Sequence, residues 1–384
     1  MAELVFWLAL LLLFYTYAGY PLVLALLRRR TQQAVTEEHT LLPFVTVVIA
    51  AYNEEAVITA KLRNTLALQY PHERLRIMVV ADGSTDTTVQ QAQQFARVEV
   101  LHKPQRKGKA AALNRAMEHI QEGIVVITDA NTTLNAGALL HLVAPFINAT
   151  VGGVAGAKKV QDAQSDASAE GWYWKYESAL KQLESDFYTV VGAAGELFAF
   201  KRALYQTIPE QVITDDFYIS LCINLQRYRI AYAPGAVSME PPSLSLHDEW
   251  KRKVRIAAGG FQSLRYFTQA LNPLRYPALA FQFFSHRLLR WTATVPALLA
   301  LFATNLYLLL QGNNVFYETL FVLQAGFYLL AGLGYLTRKT PTPVTQLPFY
   351  FVMMHGALPV GLWRLLTGKQ TALWQKALRR GSRE

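Results

Sequence analysis

The chain has 384 residues, 52% of them hydrophobic, and a formal net charge of +10. Its single cysteine, Cys222, excludes an internal disulfide and fits a reducing compartment. The basic excess does not mark a nucleic-acid binder: Arg28–Arg30, Arg287, Arg290, Arg338, Lys339, Arg379 and Arg380 flank apolar stretches, where they would meet anionic headgroups.

Residues 4–27 are almost wholly apolar and end in Arg28-Arg29-Arg30. The run is long for a signal peptide and lacks a basic n-region and a small-x-small cleavage site, so a retained transmembrane anchor is predicted over 1–30. The positive-inside rule then places the chain after Arg30 in the cytoplasm, at the cytoplasmic (inner) membrane. Residues 31–43 read as a polar linker and 44–265 as a soluble α/β domain. Within it the patterning predicts strand 45–50, helix 54–68, strand 76–81, helix 86–96, strand 98–101, helix 109–121 and strand 124–128. This βαβ rhythm implies a parallel sheet. An aromatic-rich helix over 172–190, a flexible turn at 192–196, strand 197–200, helix 216–227, strand 229–233 and helix 248–270 come next. Residues 266–290 read as an amphipathic interface helix region, mixing Arg275, His286, Arg287 and Arg290 with Phe281, Phe283 and Phe284. Residues 291–367 hold further apolar segments at 291–310, 315–336 and about 346–366, and 368–384 form a basic tail. Four spans starting outside would leave Lys376–Arg380 outside, against the positive-inside rule. Either the last segment does not cross or the rule is overridden.

Several acids stand at the ends of apolar strand-like runs. In an open α/β sheet, ligands bind at the carboxyl ends of strands, so Asp82, Asp129 and Asp216 are expected at one edge. Asp82-Gly-Ser-Thr-Asp86 offers a carboxylate to a nucleobase or ribose, or is simply a capping turn. Asp129-Ala-Asn131 points two hard oxygen ligands the same way, which suits Mg²⁺ or Mn²⁺ on a diphosphate, with Asp129 carrying most of the binding. Lys109, at a helix N-terminus after Gly108, suits phosphate. Asp215 and Asp216 raise one another's pKa, and one could act as general base; the alternative is a helix cap. Arg252 and Arg255 share a helix face and could hold a diphosphate, or could touch headgroups.

Taken in order, these motifs resemble the membrane-bound family 2 glycosyltransferases, which include cellulose, hyaluronan and poly-N-acetylglucosamine synthases and related lipid glycosyltransferases. The resemblance covers roughly 44–300. It rests on Val47-Val-Ile-Ala-Ala-Tyr-Asn-Glu-Glu55, Ala81–Asp86, Lys107-Gly-Lys-Ala-Ala-Ala-Leu-Asn114, Asp129–Asn131, Trp174-Lys-Tyr-Glu177 with Glu184-Ser185, Gly192–Gly195 and Thr214-Asp-Asp216. It implies a Rossmann-like GT-A domain facing the cytoplasm, a nucleotide-diphosphate sugar donor (UDP at family level), a divalent metal, Mg²⁺ or Mn²⁺, and inversion by direct displacement. It also implies donor contacts from Ala50, Tyr52, Glu54, Asp82, Lys109 and Asp129, and metal binding by Asp129 with Asn131. Asp216 would be the base, with Asp215 replacing the family's Glu. The family's Gln-x-x-Arg-Trp motif aligns with Arg252–Ile256: Arg255 keeps the arginine, and Ile256 replaces the tryptophan that stacks on the acceptor sugar. Trp174 and Trp250 are the candidate substitutes. The acceptor is a glycan or a lipid-linked molecule. A polymer would need a pore, which a homo-oligomer or an export partner could complete. A non-catalytic nucleotide-sugar-binding subunit and a small transporter are the alternatives from other classes.

Overall fold

The computed structural model describes residues 1–28, 42–160, 169–241, 245–312, 314–337 and 342–373. Most of the predicted linker, Arg29, Arg30, Arg338, Lys339 and the tail beyond 373 lie outside these residues. In chain order the helices that matter are α1 Ala2–Leu27, α2 Ile58–Leu66, α3 Thr88–Gln93, α4 Lys109–Glu118, α5 Ala138–Val143, α6 Ala169–Phe187, α7 Asp215–Leu225, α8 Leu246–Tyr266, α9 Pro277–Thr292, α10 Thr294–Leu310, α11 Val315–Leu336 and α12 Pro343–Leu366.

The strands are β1 Val45–Ala51, β2 Leu75–Asp82, β3 Val98–Lys103, β4 Ile124–Asp129, β5 Thr133–Leu134, β6 Val151–Val160, β7 Leu197–Lys201 and β8 Arg229–Glu240. They form one mixed sheet in the order β3-β2-β1-β4-β7-β6-β8-β5. The first four are parallel, and β7 runs antiparallel to both β4 and β6. The apolar runs are continuous because both faces are covered. Val45, Val47 and Ile49 point into a core closed by Ile58 and Leu62 of α2 and Leu139 and Leu142 of α5. Val48 and Ala50 point the other way, to Ala112 and Leu113 of α4 and Ile219 and Ile223 of α7. Ala50 pairs with Asp129 across the β1–β4 ladder, which brings the two strand ends side by side.

Among the described residues three helices, α1, α11 and α12, are long and apolar enough to cross a membrane; α9 and α10 form a fourth candidate span bent by 56°. At one end of α1, Phe6 meets Tyr317 edge to face and Trp7 stacks on Phe316 at the start of α11. Toward its other end Tyr20 donates to buried Glu184 Oε1 of α6 at 2.8 Å. The cations of α9 do not reach for headgroups as the sequence suggests. Arg290 pairs with Glu177, His286 Nδ1 lies 2.7 Å from Glu184 Oε1, and Arg287 donates to the Val191 carbonyl at 2.8 and 2.9 Å. The reason is that α6 buries Glu177 and Glu184 against this helix, and a buried carboxylate needs an internal partner.

Lys376–Arg380, on which the sidedness conflict turned, lie outside the described residues, but the end of α12 can be placed. α12 packs along α8, so tightly that a Cβ on Gly361 would stand 2.7 Å from Ala257 Cβ and 2.9 Å from the Val254 carbonyl. Beyond it the chain reaches the turn before α4, where a Cβ on Gly108 would lie 3.4 Å from Leu373. The last apolar segment therefore returns to the side of the α/β domain instead of ending opposite it.

Candidate active site

The carboxyl ends of β1 and β4 open into a cleft of about 570 Å³. The loop 192–196, the start of α7, one face of α8 and the residues after α12 close its other sides. Ala50, Glu54, Lys109, Asp129, Asn131, Asp215, Asp216, Arg252 and Arg255 all line it.

Lys109 is the hub. Gly108, at φ 98°, turns the chain into α4 and delivers the Lys109 ammonium 2.7 Å from Asp129 Oδ1 and 3.7 Å from Asp215 Oδ2. Burial opposes that charge, but Asp129 and Asp215 outweigh it and hold the amine above the usual lysine range. Across the cleft, both oxygens of Asp216 are fixed by the backbone. Oδ2 accepts from the Gly195 N–H and Oδ1 from the Phe217 N–H, each at 2.8 Å. A Cβ on Gly195 would come 3.2 Å from Asp216 Oδ2 and 3.3 Å from Lys109 Nζ, so the close approach favours glycine. Burial first, then Asp215 beside it, pushes the Asp216 carboxyl up to about 7 against the pull of Lys109. Asp215 Oδ2 is buried and has no hydrogen bond among the described residues. The pair is not a helix cap: Thr214 holds the cap position, and no side chain there accepts from the first turn.

Four expected contacts fall elsewhere. Asp82 is fully buried, and its carboxylate is spent on the N–H groups of Gly108 at 2.6 Å and Lys107 at 3.0 Å and on Arg115 at 3.4 Å. It shapes the turn that lifts Lys109 and does not reach the cleft. Tyr52 lies outside the cleft wall, under the Arg106 guanidinium at 3.7 Å. Trp174 sits between Lys158 and Lys181, 4.7 and 5.9 Å from its ring, and Trp250 packs on Gly356 of α12; neither lines the cleft. Ile256 does, 41% exposed. Arg252 is at the wall but already bound, at 2.9 Å to Glu249 and 3.0 Å to Glu170. That leaves Arg255, which has no ion pair among the described residues.

The sequence reading missed three parts of the site. Lys61 is buried, and its ammonium donates to Thr128 Oγ1 at 2.9 Å, to the Thr132 carbonyl at 2.9 Å and to Thr132 Oγ1 at 3.2 Å. Thr132 Oγ1 in turn donates to the Asp129 carbonyl at 2.9 Å, so Lys61 braces the Asp129–Asn131 turn from behind. Burial lowers its pKa to about 7, with Asp129 opposing. The signal was there: Ile58, Lys61, Leu62 and Thr65 share one helical face, and all four are buried. Glu196 and Glu240 line the cleft and share buried Lys158, a pairing between residues far apart in sequence that local pattern does not encode. Arg364, Lys369 and Gln370 reach the cleft only through the packing of α12.

Among the described residues no group of three or more His, Cys, Asp or Glu side chains is placed to hold a metal alone. Asp129 is one-third exposed with one oxygen on Lys109, and Asn131 lies beside it in the cleft wall. Two hard oxygen donors fit Mg²⁺ or Mn²⁺ that takes its remaining ligands from a diphosphate and water.

Residues 46–208 match the family described as Glycosyl transferase family 2. The chain is 30% identical over 237 residues to a beta-monoglucosyldiacylglycerol synthase of Nostoc sp. (strain PCC 7120 / SAG 25.82 / UTEX 2576), covering 58% of this chain and 50% of that protein. It is 28% identical over 254 residues to a poly-beta-1,6-N-acetyl-D-glucosamine synthase of Staphylococcus aureus (strain COL), covering 62% and 60%. The chain thus spans half to three-fifths of the length of these relatives. Among solved structures it is similar to the mannosyltransferase PcManGT from Pyrobaculum calidifontis, in complex with GDP-Man and Mn2+, with a TM-score of 0.70 and 25% identity over 96% of this chain and 100% of that one. The chain therefore carries a family 2 glycosyltransferase domain with the GT-A fold.

Proposed function

We propose that this protein, built on a family 2 glycosyltransferase domain, moves a sugar from a nucleotide-diphosphate sugar to a lipid acceptor at the cytoplasmic face of the inner membrane, with inversion at the anomeric carbon. The observation that carries this is the meeting of Asp129, Asp215 and Asp216 around the Lys109 ammonium, in one cleft whose wall includes the end of an apolar helix. The similar Pyrobaculum structure, in complex with GDP-Man and Mn2+, supports a nucleotide sugar and a divalent ion as ligands.

Asp129 and Asn131 would hold Mg²⁺ or Mn²⁺, which neutralises the diphosphate when bound. Ala50 and Glu54 border the donor, and UDP is the expected nucleotide carrier. Asp216, fixed by two backbone amides, takes the proton of the acceptor hydroxyl. That oxygen bonds to the anomeric carbon while the bond from carbon to diphosphate oxygen breaks with its electron pair. Lys109 and Arg255 face the charge left on the diphosphate. Asp215 keeps Lys109 protonated and in place.

The cleft lining favours a single transfer over a polymer. Among the described residues none of the side chains that line it is aromatic, so a growing glycan has no stacking surface there. The return of α12 to the cleft leaves at most three crossings among the described residues to frame an exit. The test is nucleoside diphosphate release by the purified protein in lipid with a panel of nucleotide sugars and Mn²⁺ or Mg²⁺, with product length measured. Turnover of one donor with one sugar added supports the proposal. Binding of no donor sinks it, and a long product would return the synthase reading.

A further inference from the structure

Four cations on the cleft wall, Lys251 and Arg255 of α8, Arg364 in the last turn of α12 and Lys369 just beyond it, have no ion pair among the described residues. Lys109 is committed to Asp129 and Asp215, and Arg252 to Glu249 and Glu170. The two negative charges of a nucleotide-sugar diphosphate are matched by a divalent ion, with Arg255 beside it. Lys251, Arg364 and Lys369 are in excess of what the donor needs, and two of them come from the end of an apolar, membrane-competent helix. Lys251 and Lys369 are exposed and Arg364 is half-buried, with Lys369 4.5 Å from the Trp363 ring, but all three stand on backbone that is held in place. The Gly361 contact with α8 and the contact of Leu373 with the Gly108 turn fix this stretch as a wall of the cleft that holds Asp216.

We infer that the acceptor is an anionic lipid, whose phosphate is held by Lys251, Arg364 and Lys369 while a hydroxyl beyond that phosphate faces Asp216. This deepens the transferase reading above and rests on it. A neutral diacylglycerol gives the three cations nothing to bind, and among the described residues a free glycan finds neither an aromatic surface nor a use for them. A lipid with a bare phosphate end is already an anionic nucleophile and would leave Asp216 without a role as base. The chemistry that fits is lipid, then phosphate, then hydroxyl, as in a phospholipid with a polyol headgroup or a lipid-diphosphate sugar.

The test uses the full chain in detergent. Binding of three soluble probes is measured by calorimetry: dioctanoyl phosphatidylglycerol, dioctanoylglycerol and inorganic phosphate, with farnesyl diphosphate as the second lipid source. Nucleotide-sugar affinity is measured alongside. The expected result is binding of one or both phosphate-bearing lipids and much weaker binding of dioctanoylglycerol. The Arg364→Gln/Lys369→Gln pair should then lose about tenfold or more in affinity for that lipid, the effect of one charge-assisted hydrogen bond, with donor affinity unchanged. In phosphatidylcholine nanodiscs, transfer should go to phosphatidylglycerol or to a lipid-diphosphate sugar, and phosphatidic acid should inhibit without being glycosylated. Equal binding of dioctanoylglycerol, displacement by inorganic phosphate at similar concentration, or an unchanged double variant would overturn the inference. So would a fall in donor affinity in that variant, because the cations would then serve the donor. If the wild-type chain binds the lipid but no nucleotide sugar, the transferase reading fails and not the lipid site.

Discussion

Asp215 and Asp216 are neighbours in sequence with different surroundings. Asp216 is clamped by two N–H groups and pushed up to about 7, whereas Asp215 faces Lys109. A base must be deprotonated to act, so transfer should rise with pH through about 7 and level off above it; a flat profile between pH 6 and 8 would reassign the base. Asp216→Asn should abolish transfer and leave donor binding nearly intact. The same shift has a stability sign. A carboxyl raised on folding costs the native state more as pH climbs from the ordinary carboxylate value to about 7. Asp216→Asn should therefore melt higher than wild type at pH 8 and no higher at pH 4. Lys61 acts one layer further back. Replacing it with Met removes three hydrogen bonds behind the Asp129–Asn131 turn. Second-layer losses of this kind weaken metal binding about 10–100-fold. Lys61→Met should weaken Mn²⁺-dependent donor binding on that scale, read by Mn²⁺ titration, while Lys61→Met with unchanged Mn²⁺ affinity would make the brace purely structural.

At the scale of elements, the junction of α8 and α12 decides whether the cationic wall stays at the cleft. A Cβ on Gly361 has no room against Ala257, Ala258 and Val254. Overpacking of this kind costs about 1–3 kcal/mol. Gly361→Val should therefore push α12 off α8 and depress transfer through the acceptor constant, while donor binding stays near wild type. If both constants stay unchanged, α12 is not a functional wall. The same tertiary contacts explain what the sequence could and could not disclose. β1, β2 and β4 were legible because strands buried on both faces are continuous apolar runs, and each ends in a site residue or its support. β6 went unread because its glycines look like a loop. They are there for packing, since a Cβ on Gly152 would meet Leu204 at 2.5 Å and Tyr228 at 2.6 Å. α2 starts at Ile58 and not at Glu54, because the chain before it is tied to the next βα turn: Glu55 accepts from Thr87 and the Glu54 N–H donates to Thr88 Oγ1. Arg252 has one partner legible in the sequence, Glu249 three residues before it, and a second, Glu170, that lies 82 residues away.

At the scale of the molecule, the two ends of the membrane part answer to one constraint. α1 must deliver the chain to the α/β domain, and α12 must end beside the cleft, so both finish on the same side. α10 runs away from the domain, and α11 begins where Phe316 and Tyr317 meet Phe6 and Trp7, at the opposite end of α1. The connection near Gln311 is thus far from the domain, and Thr367 is near it. The chain's only cysteine, Cys222, is buried, so single introduced thiols report cleanly. With the domain in the cytoplasm, Gln311→Cys should react with a membrane-impermeant maleimide added outside intact cells, and Thr367→Cys should react only after the membrane is opened. Labelling of Thr367→Cys from outside would break the link between α12 and the cleft, and with it the cationic wall on which an anionic acceptor depends. Labelling of neither thiol in intact cells, with both reactive after lysis, would place the α10–α11 connection inside and leave α11 unable to cross. The placement of the basic residues is then a consequence of the fold: a helix that must return to an acidic cleft can end in cations that serve both the headgroup boundary and the site.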